Sequence, residues 1–272
     1  MSEPIILVPF DGTKQALAAL PVAKVLGEIE RAALHILYVG DHELAGEELR
    51  SRLGREAPVL DGLTIDSRVG TPAVQILQVA GEMKPRVIVM CRHSGAERGK
   101  MLGRTAMKVL HDASCPVVLV PPERGATPWQ LHHVLVPHDG TPSTSTALQP
   151  AAELAEHGRA ELLVAHVTDI RAAPTEPGSL TTPRYVDQPQ HEWPAWGSEF
   201  LNRLASVCPL GHLHVRMFLA HGDTAVEILQ LSERQSTDLI VLAWRGIWDA
   251  PRAGTLKDIL REAHCPIMVV RT

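Results

Sequence analysis

Two aspartates sit at matching places in this chain. Asp11 closes the apolar run PIILVPF and is followed by Gly12-Thr13; Asp139 closes HVLVPH and is followed by Gly140-Thr141. Two longer stretches also match. Val87 to Val120 reads VIVMCRHSGAERGKMLGRTAMKVLHDASCPVVLV, and Leu239 to Val270 reads LIVLAWRGIWDAPRAGTLKDILREAHCPIMVV. Each passes from an apolar run through a loop of small and basic residues into an amphipathic segment, then through Cys-Pro into a second apolar run. That order is strand, loop, helix, strand. The loop lies at the carboxyl end of its strand, where open parallel sheets bind ligands. In the first stretch Arg92, His93, Arg98, Lys100 and Arg104 make the loop basic. Such a loop either holds a phosphate or is simply solvated, and the sequence leaves both readings open. In the second, Trp244 and Trp248 flank Arg245-Gly246; they could stack on a base or pack on the neighbouring strand.

Other chemistries find no support. Gly95 to Met101 (GAERGKM) is one residue short of a Walker phosphate loop and has Met101 where a magnesium-binding hydroxyl is needed. The histidines form no HExxH pattern and the cysteines no CxxC, so no metal site is expected. No Ser-His-Asp or Cys-His arrangement is recognisable, and no catalytic residue is assigned.

The elements that position these loops recur in order. Ile6 to Thr13 (ILVPFDGT) returns as Val134 to Thr141 (VLVPHDGT), 128 residues on (134 less 6), and the run at Leu34 returns at Leu162 at the same spacing. Gly70 to Leu77 (GTPAVQIL) returns as Gly222 to Leu229 (GDTAVEIL), and Cys115-Pro116 as Cys265-Pro266. A repeat over nearly the whole chain implies two copies of one fold. Between them Pro121 to Gln130 (PPERGATPWQ) has linker composition, which divides the chain into residues 1–122 and 131–272. The second copy carries an insertion at about 168–194, rich in Pro and Thr and ending near Trp193 and Trp196. It is read as a surface loop leading into a helix, with a lid as the alternative.

Composition narrows the class. A net charge of −5 offers no general attraction to nucleic acid. No apolar run reaches the roughly 20 residues of a membrane span, and MSEPIILVPF lacks the basic start of a signal peptide. A cytoplasmic protein with reduced structural cysteines is expected.

Within each copy strands and helices alternate, so each is predicted to be a five-stranded parallel sheet with helices on both faces and right-handed crossovers. The final strands, Val117 to Val120 and Ile267 to Val270, would invite aggregation as bare edges. Their burial where the halves meet, as an intramolecular pseudo-dimer, is the simplest cover; a homodimer is a further option.

Taken together, the Asp-Gly-Thr after strand one, the Gly-x-x-Ala-x-x-Ile helix start, the loop after strand four and the Ala-x-Cys-Pro-Val/Ile before the last strand resemble a tandem universal stress protein. The resemblance implies the adenine nucleotide alpha hydrolase-like fold, strand order 3-2-1-4-5, with pairing through the last strands. One branch of the family binds ATP, contacting adenine through the strand-one Asp and the phosphates through a Gly-x2-Gly-x9-Gly-Ser/Thr loop at a helix start. Carried onto this chain, that implies a site at Pro9, Asp11, Val39, Met90, Arg92, Gly103, Arg104 and Thr105 in the first half. The second-half counterpart is Pro137, Asp139, Val167, Leu242, Arg245, Gly246, Gly254 and Thr255. The loop departs from the pattern in both halves. Cys91 and Ser94 stand at the first half's leading glycines, and Gly103 is followed by Arg104. Ala243 replaces the second half's first glycine, and seven residues rather than nine separate Gly246 from Gly254.

The implied function is a non-enzymatic cytoplasmic stress protein that binds ATP or AMP, with or without magnesium, and acts through contacts with an unidentified protein partner. A nucleotide-free scaffold and a slow ATPase are the rival readings. Because it keeps Gly246 and Gly254-Thr255, the second half is expected to be the better binder.

Overall fold

The computed structural model describes residues 3–53, 64–92, 102–168, 177, 179, 189–208, 210–248 and 253–272. The chain divides into two compact units. The first comprises residues 1–130 with 260–271, the second residues 131–259 with Thr272.

The first unit is built on β1 (Ile5–Phe10), β2 (Ala33–Gly40), β3 (Thr64–Val69), β4 (Val87–Cys91) and β5 (Val117–Val120). They lie in the order β3-β2-β1-β4-β5, all parallel, which is the expected 3-2-1-4-5. Helices α1 (Ala19–Glu30), α2 (Gly46–Leu53), α3 (Pro72–Met83) and α4 (Arg104–Asp112) make the crossovers. The apolar runs form strands because both faces are covered: β4 and β5 are buried at every residue. Thr13 accepts from the N–H of Ala16 at 3.2 Å and so starts the short 3₁₀ turn that leads into α1. Thr71 and Pro72 begin α3, Pro72 needing no N–H at the first helical position, and the Thr71 carbonyl takes the N–H groups of Val74 and Gln75.

In the second unit β6 (His133–Pro137), β7 (Glu161–Thr168), β8 (Val215–His221) and β9 (Leu239–Trp244) are parallel in the order β8-β7-β6-β9. Helices α5 (Pro142–Ser145), α6 (Leu148–Gly158), α7 (Pro189–Val207), α8 (Thr224–Arg234) and α9 (Ala253–Glu262) connect them. Asp223 caps α8, its carboxylate accepting from the N–H groups of Ala225 and Val226. The repeat therefore reappears as the same parallel order in both units.

The last strand departs from a simple two-copy division. β10 (Ile267–Arg271) pairs antiparallel with β5, with Met268 opposite Val118, and belongs to the first unit. The physical reason is the one anticipated for a bare apolar edge: β5 is buried throughout because β10 completes its hydrogen bonding. The linker is also firmer than its composition suggests. Arg124 donates to the carbonyl of Pro128 at 3.0 Å, Thr127 donates back to the carbonyl of Arg124, and Trp129 is buried.

All four cysteines are free thiols, and burial pushes the Cys115 thiol up to about 11. No described helix is long and apolar enough to cross a membrane.

Candidate functional site

In the first unit the strand order reverses between β1 and β4, and a cavity of about 240 Å³ opens at the carboxyl ends of these strands. Pro9, Phe10 and Asp11 come from the end of β1, Leu37 and Val39 from β2, Met90 and Cys91 from β4, and Arg92 follows directly. Pro72 and Ile76 of α3 and Gly103 to Ala106 at the start of α4 close the remaining sides. The cavity thus has an apolar flank (Leu37, Val39, Ile76, Met90) and a polar end where α4 begins. All the first-half residues carried over from the resemblance line it. Gly103 is the N-cap of α4, and its N–H donates to the carbonyl of Arg92 at 3.0 Å. That bond ties the end of β4 to the helix start, whose free N–H groups favour an anion. Arg104, exposed at the first turn, adds a cation. Asp11 accepts from the Thr13 N–H at 3.0 Å and from its hydroxyl at 2.7 Å, both on Oδ1.

Arg92 behaves differently from either sequence reading. It is neither solvated nor turned to a phosphate. Its side chain is buried, donates from Nη1 to the carbonyls of Leu260 and Ala263, and lies 3.6 Å from Glu123. These carbonyls end α9, so the guanidinium caps a helix C-terminus, where a cation is favoured. Burial lowers its pKa, with Glu123 acting against that shift. The other basic residues of that loop, His93, Arg98 and Lys100, lie outside the described residues, as does Ser94.

The second unit arranges the equivalent residues around internal bonds. Asp139 Oδ1 accepts from the Thr141 N–H at 3.0 Å, the Thr141 hydroxyl at 2.6 Å and the Thr144 hydroxyl at 2.8 Å. Arg245, after β9, reaches Ser143 in α5 and donates from Nε to its hydroxyl at 3.0 Å. Its side chain therefore spans the loops after β6 and β9, which in a parallel sheet flank the ligand cleft. Gly246 has φ of 77°, a conformation that favours glycine. Gly254 lies in the first turn of α9, where a Cβ would meet nothing within 4 Å, and Thr255 follows it. Pro137 ends β6, Val167 lies near the end of β7, and Leu242 is buried in β9. Trp244 is buried, its ring centroid 4.7 Å from that of Trp248.

The sequence reading passed over two histidines. His138 and His166 are buried side by side, against Trp196 and Phe200 of α7. The internal repeat could have found them, because the 128-residue spacing maps Phe10 and Tyr38 onto these positions.

Comparison with known proteins agrees with this architecture. The model of the universal stress protein family matches residues 42–121 and 130–271. The universal stress protein in QAH/OAS sulfhydrylase 3'region of Thermus aquaticus is 33% identical over 133 residues, 42% of this chain and 96% of that one. The universal stress protein YxiE of Bacillus subtilis is 27% identical over 146 residues, 51% of this chain and 97% of that one. Among solved structures, a universal stress protein from Archaeoglobus fulgidus superposes with a TM-score of 0.63 at 18% identity, covering 100% of this chain and 99% of that one. With both repeats matched by the family model and the parallel sheet order repeated in both units, the chain belongs to the universal stress protein family.

Proposed function

We propose that the first unit binds an adenine nucleotide, ATP or AMP, in the cavity between β1 and β4, and that the chain acts in the cytoplasm through contacts with another protein. One observation carries this reading: Pro9, Asp11, Val39, Met90, Arg92, Gly103, Arg104 and Thr105 line a single cavity. Its chemistry suits the ligand. The apolar flank of Leu37, Val39 and Met90 would take the base. The start of α4, with Gly103 as N-cap and Arg104 beside it, would face the phosphates. At about 240 Å³ the cavity is smaller than most drug-sized sites, which fits a nucleoside with its phosphates directed outward. No described group of three His, Cys, Asp or Glu residues could hold a metal, so any magnesium would enter with the phosphates.

The second unit supports the scaffold reading for itself. Arg245 is engaged with Ser143, and Asp139 Oδ1 takes, besides the two threonine bonds that Asp11 also takes from Thr13, a third from the Thr144 hydroxyl, so the second unit's polar groups are the more committed to internal partners. We therefore favour the first unit as the binding half, against the expectation from the glycines. Turnover is not part of the proposal. Mass analysis of nucleotide released by heat from the purified protein tests it: ATP or AMP is expected, and protein free of nucleotide that also fails to take it up would favour the scaffold.

A further inference from the structure

At two positions the units differ in kind. Where the first has Phe10 and Tyr38, the second has His138 and His166, and all four side chains are buried. In the first unit Phe10 and Tyr38 are register partners on β1 and β2. In the second, the histidines are bonded to each other: His166 Nδ1 lies 2.9 Å from the His138 carbonyl.

Hydrogen-bond geometry fixes the proton on each ring. The N–H of Gly140 points at His138 Nδ1 at 3.0 Å, so that nitrogen is an acceptor and Nε2 carries the proton. Nε2 then donates to the Ser145 hydroxyl at 3.0 Å, and that hydroxyl donates to the Thr141 carbonyl. For His166 the assignment is reversed. A carbonyl can only accept, so Nδ1 carries the proton and Nε2 is bare. His166 Nε2 is buried with no hydrogen-bond partner among the described residues. Both rings are therefore built to be neutral. A second proton on His138 would set a donor against the Gly140 N–H. A second proton on His166 would be buried with no acceptor among the described residues.

Both rings are covered by α7. Trp196 lies 4.6 Å and Phe200 5.3 Å from the His166 ring, centroid to centroid, and Phe200 meets His138 edge-on at 5.3 Å. At Gly197 the helix lies on β8, where a Cβ would make ordinary contact with Leu219 and Met217 at 3.7 Å. Among the described residues the charged surroundings are few. Asp139 adjoins His138 and favours its protonation, but its Oδ1 is already occupied. His221 at the end of β8 is bonded to the Thr168 hydroxyl and, once charged, opposes a charge on His166. On α7, Glu199 and Arg203 are exposed and pair with each other. Burial is the largest influence on both rings and disfavours a charge on each; His166 further disfavours a charge on His138, whereas the His138 carbonyl and Asp139 act in the opposite sense on His166.

We infer that the His138–His166 pair is an acid-sensitive latch for α7: neutral, it holds Trp196 and Phe200 against the sheet; protonated, it releases that helix. The first unit, with Phe10 and Tyr38 in these places, has no such release.

Hydrogen-exchange mass spectrometry on the full-length chain tests this, with protection factors corrected for the intrinsic effect of pH. Between pH 7.5 and 4.5 the protection of residues 196–207 should fall at least tenfold relative to α1, because opening takes up protons there. The double variant His138→Phe/His166→Tyr, which installs the first unit's residues, should remove that difference. Equal losses in both helices, or an undiminished loss in the double variant, would overturn the latch. Should the double variant not fold, imidazole nitrogen NMR of the wild-type chain decides. Both rings should remain neutral at pH 5.5 while α7 is in place; titration of either near 6.5 in the folded protein would overturn it.

Discussion

Arg92 Nη1 donates to the carbonyl of Ala263 at 3.2 Å, binding the end of β4 to the segment that follows α9. Nη1 bonds the Leu260 carbonyl as well, and these late helical carbonyls lose their only side-chain donor among the described residues if the guanidinium is removed. Arg92→Met should therefore lower the unfolding free energy of the full chain by about 1–3 kcal/mol, the cost of leaving buried acceptors unpaired. Arg92→Lys, with one ammonium in place of a fork, should fall between. Urea midpoints check both, and a Met variant as stable as wild type would contradict the capping role.

Two glycines near the second unit's loop should respond with opposite signs. Gly246→Ala forces a side chain into the left-handed region, with φ of 77°, and should cost about 1–2 kcal/mol. Gly254→Ala puts a methyl into open space within α9 and should gain up to about 1 kcal/mol. Thermal melts of the two variants provide the comparison; destabilisation by both would mean that Gly254 is held by something other than helix propensity.

At the sheet edge, Val118 is fully buried between Val89 on β4 and Met268 on β10. Val118→Lys loses roughly 1–3 kcal/mol of apolar burial, with the desolvation of an ammonium added to it. A large drop in the urea midpoint is expected. A variant that melts like wild type would show that β10 does not cover β5 in solution.

The pH dependence of stability has a definite sign. Burial lowers the His138 pKa from 6.5 to about 4 in the folded chain. Between those values the unfolded chain binds a proton that the native state refuses, so stability is complete above pH 6.5 and declines as pH falls towards 4. That shift corresponds to about 3 kcal/mol. Urea titrations at pH 7.5 and 4.5 should show the loss in wild type and a smaller one in His138→Phe.

Much of this fold is legible in the sequence because parallel strands buried on both faces are written as unbroken apolar runs, and because each is written twice. Ile6 to Thr13 and Val134 to Thr141 announce equivalent strands before any coordinate is known. The residues around the first unit's cavity are legible for the same reason, since strand ends and a helix start fix their positions. Side-chain direction is not. Arg92 looks like a phosphate ligand by type and spacing, and only the packing of α9 shows where its guanidinium goes. The glycines of the second unit point to a phosphate loop, whereas Arg245 reaching Ser143 depends on a contact 102 residues apart in sequence. The partnership of β10 with β5 is equally non-local: the edge was expected to be covered, but the unit to which its cover belongs follows from pairing alone.

The central claim is that an adenine nucleotide occupies the first unit. Isothermal titration calorimetry with ATP and AMP on nucleotide-stripped wild type, Asp11→Ala and Asp139→Ala tests it directly. Asp11 lines the cavity, while Asp139 is bonded to Thr141 and Thr144. Wild type should bind one nucleotide per chain, Asp11→Ala should weaken it at least tenfold, and Asp139→Ala should leave the affinity unchanged. The reverse pattern would place the site in the second unit, and an absence of binding heat together with no bound nucleotide by mass would contradict the account.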